Sequence, residues 1–198
     1  MVEYFKALEE VLMPDPRNEA FTKADPSTNN FVPMELDDYH RNLSTISIKE
    51  HVPEEVRSYF ETIKNVCLYG WFVYPFFTVS IFLSFTAIEM ALRTKFEEND
   101  PRRRWGLRDL LREGKKQGWI SDEGFPSVQA RQDYQVQLND ELGLSLSESV
   151  ADYTSVLVES LPYLRNSFAH PSSEMILGPG DATSSLRIAA ELINQLFS

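Results

Sequence analysis

One cysteine, Cys67, is all the sulfhydryl chemistry this 198-residue chain has. It cannot form an internal disulfide, and with only three histidines beside it the sequence argues against a zinc site. Basic residues are also scarce: 19 stand against 30 acidic ones, for a formal net charge of −11 and a pI near 4.8. That balance excludes a general coat for DNA or RNA, so any nucleic-acid contact has to come from a local basic patch. The opening residues lack the basic n-region and apolar run of a secretory signal, because Glu3, Glu9 and Glu10 fall within Met1 to Leu12. A reducing, cytoplasmic setting fits these absences. No Gly-x-Ser-x-Gly elbow is present, so Ser/His/Asp hydrolysis has no support. Gly178-Pro179-Gly180 lacks the Lys-Ser/Thr ending of a phosphate loop and reads as a turn. Nothing repeats at a fixed period, and no segments string together as βαβ.

What remains is an apolar content of 42% with 12% aromatics, enough for a sizeable core in one domain, with or without appendages. Val2 to Leu12 reads as a short helix with Tyr4, Phe5, Leu8, Val11 and Leu12 on one stripe. Met13 to Pro33 has the proline and small polar residues of a loop, and Leu43 to Ile48 alternates as a short strand would. Residues 1–50 are therefore expected to form an N-terminal arm on a helical domain of residues 51–198. In that domain Pro53-Glu54-Glu55 opens a helix with Val56, Tyr59, Phe60, Ile63, Val66 and Cys67 inward. A second helix runs from about Phe76 to Phe96, and a short one from Leu107 towards Ile120. Ser121 to Gly143 is polar and mixed. Leu146 to Phe168 is a long helix with Pro162 inside it, and Ser184 caps a last one. The fold class is all-α. No charge occurs between Lys64 and Glu89, a run long enough to span a bilayer. Gly70, Pro75, Thr78, Ser80, Ser84 and Thr86 dilute it, so two buried core helices meeting near Pro75 are expected, with no membrane contact.

Chemistry concentrates in Leu164-Arg165-Asn166-Ser167-Phe168-Ala169-His170-Pro171. Arg165 is a permanent cation with a planar fork of donors suited to phosphate. His170 can take and give a proton near neutral pH. Asn166 and His170 are four apart and share a helix face, so the amide can hold the imidazole, and Pro171 places the histidine at or just past the last turn. The set points to chemistry or binding at a phosphate. Glu89, on an apolar helix, needs a cationic partner, for which Arg93 and Arg165 are candidates. Arg102, Arg103, Arg104, Arg108, Arg112, Lys115 and Lys116 form a basic cluster. They read either as a track for an RNA backbone or as a solvated helix face balanced by Glu97, Glu98, Asp100, Asp109 and Glu113. Trp105 and Trp119 are base-stacking candidates or packing anchors. His40, beside Asp37 and Asp38, reads as an exposed loop residue, and Cys67 as core.

Three segments in order resemble the HEPN superfamily of small helical domains: Phe82 to Arg93 with Glu89 near its end, Leu107 to Ile120 closing in a glycine turn, and Leu161 to Pro171 with arginine, a polar residue and histidine. The resemblance covers about Val52 to Ser198. It implies a bundle of four or five helices, usually a homodimer with the two motifs facing a shared cleft. It also implies a metal-independent endoribonuclease without a cofactor, of the kind found as toxins or phage-defence effectors with a cognate antitoxin or regulatory protein. In that setting the catalytic set is Arg165, Asn166, His170 and Glu89, and Arg102, Arg103, Arg104 and Arg108 of the basic cluster are the candidate substrate-binding residues beside it. Many members of the superfamily have the fold without the activity, so a non-catalytic interaction or nucleotide-sensing module is the alternative.

Overall fold

The computed structural model describes residues 5–25, 27–97, 99–141, 152–169 and 177–198. Their architecture is set by one helix, α3 (Phe76–Lys95), whose buried residues run nearly all the way round: Phe77, Ser80, Ile81, Ser84, Phe85, Ala87, Ile88, Ala91 and Leu92. Such a helix has to be enclosed. α2 (Glu54–Tyr69) and α7 (Pro179–Leu196) pack most extensively on it, and α4 (Leu107–Lys116) and α6 (Tyr153–Ala169) close the remainder. The buried serines do not leave orphan hydroxyls, since Ser80 donates to the carbonyl of Phe77 and Ser84 to that of Ser80, both at 2.8 Å. α3 is long and apolar enough to cross a membrane, and half of its apolar stretch is buried by the other helices.

α2 and α3 meet at a tight elbow. A methyl group at Gly70 would lie 2.4 Å from the Phe77 ring and 2.9 Å from the Cys67 carbonyl oxygen, so only glycine lets the two helices approach there. The elbow also receives the N-terminal segment. Tyr39, on α1 (Leu36–Ser44), stacks on Trp71, meets Phe77 edge-on and places its hydroxyl 2.9 Å from Cys67 Sγ. Asn18 donates to the Trp71 carbonyl, and Arg17 lies 4.3 Å over the Tyr74 ring.

The described residues are all-α apart from one small hairpin, with seven α-helices. Six of them, α2 to α7, fall within residues 51–198, more than the four or five expected. Other departures have local causes. The hairpin, β1 (Thr22–Asp25) and β2 (Asn30–Pro33), lies in the stretch expected to be loop. Asp25 accepts from Ser27 and Thr28, and Asn29 turns the chain at φ 53°, a conformation asparagine tolerates. The strand expected at 43–48 is instead the end of α1 and the turn after it, with Leu43 and Ile46 both inward. His40 therefore stands on the exposed side of a helix. Of the helix expected at Val2 to Leu12, residues 5–12 form one 3-10 turn, Leu8–Glu10, with Phe5, Leu8, Val11 and Leu12 facing solvent, and Val2 to Tyr4 lie outside the described residues. α5 (Pro126–Glu141) occupies the stretch read as polar and mixed. α7 begins at Pro179 with Gly178 as its cap and Asp181 accepting from the Gly178 amide, so Ser184 lies inside the helix instead of capping it. The expected first turns of the long helix, residues 146–151, lie outside the described residues.

Candidate functional site

α6 carries Arg165 and Asn166, and its position is fixed at both its apolar face and its start. Leu157, Val158, Leu161 and Pro162 are buried. Asp152 accepts from the Ser155 amide at 2.8 Å as an N-cap, and Asp122 reaches across to accept from the amides of Tyr153 (3.0 Å) and Thr154 (2.8 Å) and from the Thr154 hydroxyl. Burial by itself raises the Asp122 carboxyl, but these hydrogen bonds outweigh it and hold its pKa below the ordinary value. Asp152 is lowered to about 2, first by the Lys115 ammonium that donates to it and then by Ser155.

Near the far end of α6 the Arg165 guanidinium faces Glu89 of α3, with Nη2 3.5 Å from Oε2. The other oxygen of Glu89 accepts from Arg93 Nη2 at 2.6 Å. Arg93 also donates to the carbonyls of Arg103 (2.6 Å) and Trp105 (3.1 Å), which ties α3 to the 3-10 turn Pro101–Arg104. One carboxylate thus sits between two guanidinium groups. Glu89 is only 15% exposed, whereas Arg165 keeps 36% of its side chain open. Arg165 Nη1 lies 3.4 Å from Asn166 Oδ1, and among the described residues its buried Nε has no hydrogen-bond partner.

Two open clefts meet at this pair. One, of about 440 Å³, is lined by Glu89, Gly106, Leu107, Arg108, Pro162, Tyr163, Arg165 and Asn166. The other, of about 560 Å³, is lined by Glu55, Thr86, Glu89, Met90, Arg93, Thr94, Arg103 and Arg165. Four arginines and two glutamates border the two together, a local positive excess on a chain of charge −11. The first cleft also takes in the start of α4, where no side chain caps the first-turn amides, so their partial positive charge adds to that of the arginines. This arrangement can hold an anion, and the planar fork of Arg165 suits phosphate oxygens.

The basic cluster divides on folding. Arg102 is occupied by Asp100 at 2.6 Å and Glu113 at 3.1 Å and lies over the Phe96 ring. Arg112 pairs with Glu159 at 2.7 Å and Lys115 with Asp152, so these two clamp α4 to the start and middle of α6. Arg108 lies 3.7 Å from the same Glu159 and borders the first cleft. Arg103 borders the second cleft, and Arg104 is exposed. Among the described residues neither Arg103 nor Arg104 has an ionic partner. Of the four candidate RNA-binding arginines, then, two line the site, one is held elsewhere and one stands in solvent. Trp119 packs edge-on against Phe96, while Trp105 is partly exposed. His170, and with it the expected Asn166–His170 contact, lies outside the described residues; Asn166 turns its side-chain oxygen to Arg165. Among the described residues no three His, Cys, Asp or Glu side chains gather as metal ligands. Tyr163, 70% exposed on the rim of the first cleft, is a site residue that the motif did not single out. Its signal in the sequence is an aromatic ring set off the buried stripe of α6.

Compared with family models, curated proteins and solved structures, the chain matches none.

Proposed function

We propose that this protein is a metal-independent endoribonuclease of HEPN type, with its all-α fold a variant of the HEPN bundle and Arg165 as its phosphate-binding residue. The observation that supports this best is the half-open Arg165 guanidinium at the junction of two clefts with excess positive charge. In the proposed reaction His170 accepts the proton of a ribose 2′-hydroxyl, whose oxygen attacks the adjacent phosphorus. The phosphorus–5′-oxygen bond breaks, the leaving oxygen takes a proton, and the products carry a 2′,3′-cyclic phosphate and a 5′-hydroxyl. Arg165 stabilises the charge that builds on the phosphoryl oxygens. Glu89 acts as a positioning residue through its bond to the arginines, and Asn166 steadies Arg165 from the side. A two-fold homodimer brings a second copy of the motif to the site. Requiring the 2′-hydroxyl restricts the substrate to RNA. The cellular role that goes with this activity is a cytoplasmic toxin or phage-defence effector restrained by a cognate protein.

One observation favours the second reading, a non-catalytic interaction or nucleotide-sensing module: Arg165 is paired with Glu89, as a purely structural arginine would be. Incubation of purified protein with structured and unstructured RNA in excess EDTA separates the two. The nuclease reading expects cutting that leaves 2′,3′-cyclic phosphate ends and vanishes in His170→Ala and Arg165→Ala. Intact RNA with a folded wild-type protein would overturn it and favour the module.

A further inference from the structure

We infer that the two clefts are one tract for single-stranded RNA. In it Tyr163 stacks on a base to one side of the phosphate held by Arg165, and Arg103 holds a phosphate on the other side. This rests on the reading of Arg165 as the phosphate-binding residue, and it adds the strand that passes over it.

Continuity is the first ground. Glu89 and Arg165 line both clefts, so a ligand bound at Arg165 borders the two at once. The second ground is which cations remain available. Arg102, Arg112 and Lys115 are engaged by Asp100, Glu113, Glu159 and Asp152, whereas the backbone of Arg103 is pinned by Arg93 and its side chain has no ionic partner among the described residues. A cation on a fixed main chain beside an open cleft is suited to a phosphate. The third ground is Tyr163. It follows the buried Pro162 on a helix whose opposite side is packed, so its exposed ring is presented from a rigid base. A base stacks on such a ring only when it is free of a duplex, which selects single strands. The acidic remainder of the surface confines backbone binding to this tract.

The test uses a fluorescent single-stranded 2′-fluoro oligonucleotide, which has no 2′-nucleophile, so anisotropy reads binding whether or not the protein cuts RNA. Wild type should bind it more tightly than the corresponding duplex. Tyr163→Ala should weaken binding about tenfold. An abasic substitution in the oligonucleotide should cost wild type a similar factor at one position and cost Tyr163→Ala nothing further. Arg103→Ala should weaken binding at every sequence and lower the dependence of log affinity on log salt by about one. Arg112→Ala, which removes the same charge from the α4–α6 clamp, should bind as wild type does. Full-strength binding by Tyr163→Ala and Arg103→Ala, or no binding by wild type, would overturn the tract. If RNA is cut in EDTA while both variants bind normally, the tract fails and the nuclease stands. If binding follows the expected pattern but RNA stays intact, the nuclease fails and the tract stands.

Discussion

Removing the Asp122 carboxylate is expected to cost about 3 kcal/mol of stability, because three donors depend on it. It accepts from the Tyr153 and Thr154 amides at the start of α6, and loss of a helix cap of this kind costs about 1 kcal/mol. The Thr154 hydroxyl is buried, and leaving it without an acceptor adds roughly 1–2 kcal/mol. Taking a negative charge from the positive end of the helix adds about 0.5 kcal/mol. For a chain of this length the sum corresponds to a fall in Tm of about 6–12 °C. Urea unfolding of wild type, Asp122→Ala and Asp122→Asn measures it, and the asparagine, which keeps an acceptor, should recover about half. The pH dependence has a definite sign. Because Asp122 is held below its ordinary 3.8, its contribution is complete above that value and disappears as pH falls through the lower folded-state pKa. Stability of wild type should therefore decline below about pH 4, and Asp122→Ala should decline less. A cost under ~1 kcal/mol at pH 7 with an unchanged m-value would refute the capping argument.

Asp152, at about 2, behaves with the same sign: its link to Lys115 and Ser155 persists from neutral pH down through pH 4 and is lost towards pH 2, visible by NMR as an upfield shift of its side-chain carboxyl carbon on protonation. Gly70→Ala should destabilise by about 1–3 kcal/mol in chemical denaturation, since its methyl group has to displace the Phe77 ring or open the α2–α3 elbow. Cys67 is fully buried, and burial pushes its thiol pKa up, so a disulfide reagent should label it no faster than the protein opens; rapid labelling of native protein would contradict its place in the core. Glu89→Gln removes the ionic partner of both arginines, but Arg93 keeps its bonds to the Arg103 and Trp105 carbonyls while Arg165 has no such second hold, so the proposed RNA cleavage should fall more than thermal stability.

The buried helices were legible because their apolar stripes and end signals agree: Pro53-Glu54-Glu55 ahead of α2, and the enclosed run of α3. α5 was not, since Tyr134, Val136 and Leu138 face solvent and leave no stripe to count. The hairpin is held by Asp25 side-chain bonds and a left-handed Asn29, which leave no alternation of apolar residues for a strand to be read from. At the site, the need of Glu89 for a cation was readable, and both candidate arginines lie beside it. Which members of Arg102-Arg103-Arg104 face a cleft was not, because adjacent residues of one turn are sorted only by Asp100, Glu113 and the carbonyls that Arg93 binds.

The enclosure of α3 also imposes an order on its making. Its largest cover, α7, begins at Pro179, about 80 residues after α3 ends at Lys95. At 5–20 residues per second, a ribosome takes roughly 4–16 s to supply it. Through that interval the nascent chain holds a helix with the apolarity of a membrane span and without its main partner. α2, already made, can shield one side and α4 and α6 can cover more as they emerge, but the face that α7 covers stays open until α7 itself is made. Folding yield in the cell should therefore depend on the pace of translation between these two helices, a sensitivity that the finished protein does not reveal.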